Sequence, residues 1–163
     1  MLLSIFLGVD SLELFSTRLR VLRWPLELIA FAAAVAPFVI AARSWRSLPE
    51  RIPTSYGFTG EPNRWGGRWL IWMYPVLTAA LYLFVGAVTD TLNWPGAGAG
   101  MAARALLAAG WVKALLCILP GYYCWITVRI AQEQAERASV VVFYAIVALI
   151  LLPNLPAAFQ ASR

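Results

Sequence analysis

Few residues in this chain are suited to chemistry, and they are far apart. Glu27 and Lys113 each stand in a long apolar run. A charge in hydrocarbon is costly and marks a functional position by default. Two readings of Glu27 are open: a carboxylate near a helix start, favoured by the helix dipole, or a buried partner for an arginine or for Lys113. Lys113 is either an intramembrane charge or an ammonium that snorkels to the interface beside Trp111. A proton relay would want more acidic groups than one glutamate. There is no histidine. That removes the commonest general base and the commonest metal and haem ligand, and a Ser-His-Asp set with it. Pigment or haem ligation through histidine is excluded. Cys117 and Cys124, seven apart, would lie about 10 Å apart along a helix, too far for a disulfide and only half a metal site. They read as small buried apolar residues. The run "GAGAG" (96–100) lacks the strand before it and the Lys-Ser/Thr after it that a phosphate loop needs. The expectation is a protein that is not an enzyme, with no metal and no cofactor beyond lipid.

The elements that must position these residues are apolar. Of 163 residues, 61% are hydrophobic and 13% charged, and the mean hydropathy is +0.72. A soluble domain is roughly 25% charged, so lipid must be the solvent for most of this chain. The net charge of +5 comes without a basic run or stripe, and arginines at span ends account for it. Nucleic acid is not an expected partner.

Residues 1–22 place Leu2, Ile5, Phe6, Val9, Leu12, Phe15, Leu19 and Leu22 near one helical face, which predicts an interfacial amphipathic helix. Four spans of about bilayer length follow, over 24–42, 69–89, 105–128 and 138–158. Trp24 marks an interface and Pro25 suits a first turn. Pro120 and Gly121 predict a kink in the third span. The stretches 90–102 and 129–137 read as connectors. The fold class is therefore an all-α integral membrane protein, one domain over 1–163. Loops 43–68 and 129–137 hold seven arginines against five on the other side, which weakly favours a cytoplasmic position for them.

Between spans one and two lies "LPERIPTSYGFTGEPNRWGGRW". "LPERIP" must be extended, because residues before proline are pushed out of the helical region. "FTGEPN" is a turn signal. Tyr56, Phe58, Trp65 and Trp69 suit a headgroup layer. The segment 43–68 thus reads as a structured Pro/Gly/aromatic cap. Its candidate interaction residues are Arg51, Tyr56, Glu61, Asn63, Arg64, Trp65 and Arg68, with Glu61 expected to pair with an arginine and Trp65 and Trp69 to anchor the cap at the bilayer surface.

This stretch resembles the signature loop of the membrane family called domain of unknown function 1648, which forms the N-terminal portion of SdpI-type immunity proteins. Leu48, Pro49, Ile52, Pro53, Gly60, Pro62, Trp65 and Gly66 carry the likeness. Ser55 and Asn63 stand where that family usually has histidine and aspartate. The resemblance implies a multi-pass bacterial inner (cytoplasmic) membrane protein and, for SdpI-type members, toxin immunity and signalling by protein contact.

Three functions remain in play. The first is a non-catalytic accessory or structural subunit whose partners are the lipid bilayer and other membrane subunits. The second is an SdpI-type immunity or signalling protein. The third is a small oligomeric transporter or channel around Glu27 and Lys113.

Overall fold

The computed structural model describes residues 24–91 and 99–151. The predicted amphipathic helix at 1–22 lies outside them. In chain order the elements are helix α1 (Trp24–Ser44), strand β1 (Arg51–Tyr56), strand β2 (Pro62–Gly67), a 3-10 turn (Arg68–Trp72), and helices α2 (Met73–Thr91), α3 (Ala99–Ala131) and α4 (Val140–Leu151).

Three stretches are long and apolar enough to cross a membrane: Trp24–Ser44, Arg68–Thr89 and Ala105–Ala131. Their outer faces carry Leu28, Phe31 and Phe38 on α1, and Val76, Leu83 and Phe84 on α2, all exposed. Apolar surface this continuous belongs against lipid. The expected fourth span is described only over Val140–Leu151, whose 12 residues give about 18 Å of helix. The rest of it, to residue 158, lies outside the described residues.

Two expectations are corrected. Helix α3 starts at Ala99 and runs to Ala131, so it takes in part of both stretches read as connectors. Alanine and leucine there are strong helix formers, and they carry the helix past Gly100 and through Pro120. The fold is also not all-α, because the cap is an antiparallel β-hairpin. Arg51 pairs with Gly67, Ile52 with Gly66 and Pro53 with Trp65; Ser55 then pairs with Arg64 and Tyr56 with Pro62. Thr54 on β1 and Asn63 on β2 are the extra residues of two bulges, which bend and twist the ribbon. The turn closes through Gly60 N–H to Gly57 O (2.9 Å) and Gly57 N–H to Glu61 O (2.9 Å). Gly60 takes φ +83°, a left-handed conformation that glycine adopts without penalty.

An isolated hairpin is marginal in water, so this one needs support. It receives it from a core of Ala41, Leu48, Ile52, Ile71, Tyr74, Cys124 and Val128, which joins the end of α1, the hairpin base, the start of α2 and the end of α3. A second cluster, Ile126, Ile130 and Ala138, packs with Tyr56, Tyr122 and Tyr123. Both cysteines are free and buried.

Candidate functional site

Strand β1 is the seated strand of the hairpin. Ile52 is 1% exposed, Pro53 is fully buried, and the strand lies on α3. At its end the Tyr56 hydroxyl meets Thr127 Oγ1 at 2.6 Å, and the Tyr74 hydroxyl meets the same oxygen at 3.1 Å. One buried threonine of α3 therefore joins the hairpin to α2. The Tyr56 and Tyr123 rings lie 5.6 Å apart. Burial pushes the Tyr56 phenol above its ordinary value, against a smaller opposing effect of the Thr127 hydrogen bond. At the tip, Ala138 N–H donates to Gly60 O at 2.7 Å, which fixes the turn to the loop before α4.

Strand β2 faces away from the bundle. Asn63, Arg64 and Trp65 are exposed, and one backbone edge of β2 has no neighbouring strand among the described residues. Phe58 at the tip is 95% exposed, and Trp69 is also exposed. The Arg68 guanidinium lies 5.1 Å from the Trp45 ring centre, and Arg68 N–H donates to Glu50 O at 2.9 Å. The hairpin thus presents arginines, aromatics and an open strand edge on a surface that the bundle holds still. An open edge can accept a strand from another chain.

Six of the seven predicted cap residues fall on the hairpin's strands or the turn segment, and Arg68 opens the 3-10 turn that follows. Arg51, Glu61, Asn63, Arg64, Trp65 and Arg68 are exposed, whereas Tyr56 points inward as part of the seat. The expected pairing of Glu61 with an arginine does not occur among the described residues; its backbone carbonyl closes the turn instead. An exposed ion pair is worth little, so little energy draws the carboxylate out of water. Ser55 is not among the residues lining a groove of about 310 Å³ between the tip and α4, which Asn63 lines with Tyr56, Phe58, Tyr123, Phe143 and Tyr144.

Residues 32–79 match the family model of a domain of unknown function (DUF1648). The DUF1648 segment takes in most of α1, the whole hairpin and the first turns of α2. It includes Ile52, Tyr56, Gly60 and Tyr74, but Thr127 and Ala138, on which it is seated, lie beyond it. No curated protein and no solved structure matches the chain.

The second constellation lies in the helices. Lys113 is 7% exposed, and its Nζ pairs with Glu27 Oε1 at 2.5 Å. The Tyr82 hydroxyl donates to the same oxygen at 2.8 Å, and the ammonium lies 4.3 Å from the Tyr82 ring centre. Of the open readings of Glu27 and Lys113, the structure makes the two mutual partners, with Lys113 buried and Glu27 partly exposed. Sequence reasoning missed Tyr82, Thr127 and Tyr74. The signal available was a hydroxyl at a helix position surrounded by apolar residues. Among the described residues no group of three His, Cys, Asp or Glu is placed to hold a metal.

Proposed function

We propose that this chain is a non-catalytic membrane protein that recognises another membrane subunit through its β-hairpin. One observation carries the reading: the hairpin is seated on α3 by Ile52 and Tyr56, while β2, Phe58, Trp65 and Trp69 face outward. Preorganised surfaces bind with little ordering cost, and aromatic and arginine side chains dominate binding hot spots. Arg64 and Trp65 supply these beside an open strand edge. Purification from the source membrane in mild detergent, with mass spectrometry of comigrating chains, tests the reading. A partner at fixed stoichiometry, lost in Trp65→Ala and retained in Ser55→Ala, is the expected result. A chain that runs alone or as a small homo-oligomer refutes it.

A second reading, immunity or signalling of the SdpI type, draws support from the DUF1648 match over the same hairpin. Under it the partner is a toxin or a regulator, and deletion of the gene abolishes protection against that toxin.

A further inference from the structure

The Lys113–Glu27 pair borders a cavity of about 380 Å³ between α2 and α3, lined also by Tyr82, Gly86, Thr89 and Leu106. Gly86 lines it beside the ammonium: a Cβ there would stand 3.9 Å from Lys113 Nζ, in ordinary contact. The flank is apolar and exposed at Leu83. The pair's depth follows from the helices. Glu27 is 17 residues from Ser44, and Lys113 is 18 from Ala131, so both lie about 26–27 Å along their helices from the hairpin end. In a hydrocarbon layer about 30 Å thick, that is close to the opposite face. Exposed Trp24 and Trp111 lie at the same end, as interfacial tryptophans do.

We propose that this cavity holds the phosphodiester headgroup of a membrane phospholipid, with Lys113 as the cation that receives it and the acyl chains running down the Leu83 flank. An ammonium has three donors. Glu27 and the Tyr82 ring fix its position, and charge-assisted hydrogen bonds to phosphate oxygens are the strong kind. Because the pair carries no net charge, the site favours a zwitterionic headgroup, phosphatidylethanolamine, over an anionic one. The depth fits a headgroup that reaches the interface from its own leaflet.

The test uses the full chain, delipidated in detergent and titrated by native mass spectrometry with phosphatidylethanolamine, phosphatidylglycerol and diacylglycerol. Phosphatidylethanolamine should bind tightest, and Lys113→Met should weaken it about tenfold or more. Gly86→Leu fills the cavity without removing either charge; it should weaken binding as much, whereas Gly86→Ala should not. Should Lys113→Met fail to fold, Gly86→Leu and the headgroup series on the unaltered chain decide. Unchanged affinity in the folded variants overturns the proposal, as does diacylglycerol binding equal to that of phosphatidylethanolamine. Phosphatidylglycerol binding as tightly overturns the headgroup choice. Equal competition by soluble glycerophosphoethanolamine overturns the lipid as source.

Discussion

Gly60→Ala should unseat the tip of the hairpin. A Cβ at this position would stand 2.0 Å from the carbonyl oxygen of Ala138, whereas a carbon rests about 3.3 Å from such an oxygen. Relief needs a shift of about 1.3 Å. The Ala138 N–H to Gly60 O bond, 2.7 Å long, would stretch to about 4.0 Å if the shift runs along it, past any hydrogen bond. An orphaned buried backbone group costs about 1–3 kcal/mol, and alanine at φ +83° costs about 1–2 kcal/mol more. Together these come to about 2–5 kcal/mol. Hydrogen exchange at the Ala138 amide, in detergent, reads this directly: protection should fall by roughly 30-fold or more. Gly57→Ala in the same turn is the control, because its nearest neighbour would be Glu61 O at 3.8 Å and it has no positive φ. Equal protection in Gly60→Ala and the unaltered chain would refute the reasoning, as would equal loss in both variants.

Ile52→Ala empties a site that is 1% exposed and should destabilise the folded cap by about 2–5 kcal/mol, read as faster proteolysis between residues 48 and 69. Thr127→Val removes the oxygen that Tyr56 and Tyr74 share and should cost about 1–3 kcal/mol; Thr127→Ser should restore most of it in the same denaturation assay. The Tyr56 phenol is raised from 10.0 by burial, so an unseated hairpin gives up this proton at lower pH than a seated one. Seating is therefore undiminished below pH 10.0 and weakens as pH rises above it; Tyr56→Phe should lose this share of the alkaline sensitivity, followed by tyrosinate absorbance and protease cleavage.

Three of the expected spans were legible because a hydropathy run of bilayer length admits few other solutions. The extended "LPERIP" and the turn at Gly60 were legible from proline and glycine. The pairing of the two strands was not, since Pro62, Asn63, Gly66 and Gly67 are poor strand formers and the ribbon is held by α3 rather than by its own propensity. Gly66 is closely overlain by side chains: a Cβ would stand 2.5 Å from Leu70 Cδ1 and 2.8 Å from Thr54 Cγ2, both of which would have to turn aside. Glu27 and Lys113 were recognisable one at a time as charges out of place. Their partnership, one of the readings left open, spans 86 positions, and no local pattern selects it over the others. Tyr56 was expected to face a partner or the headgroup layer, whereas it turns inward to Thr127, 71 residues away, a direction no local pattern shows.

The bond between Gly60 and Ala138 also orders events in time. The two residues are 78 positions apart, which at about 5–20 residues per second is roughly 4–16 s of synthesis. For most of that interval the hairpin lacks α3 beneath β1, and throughout it lacks the loop that holds its tip. A partner that recognises the seated hairpin would thereby read out, from one small surface, that the helix emerging long after it has reached its place.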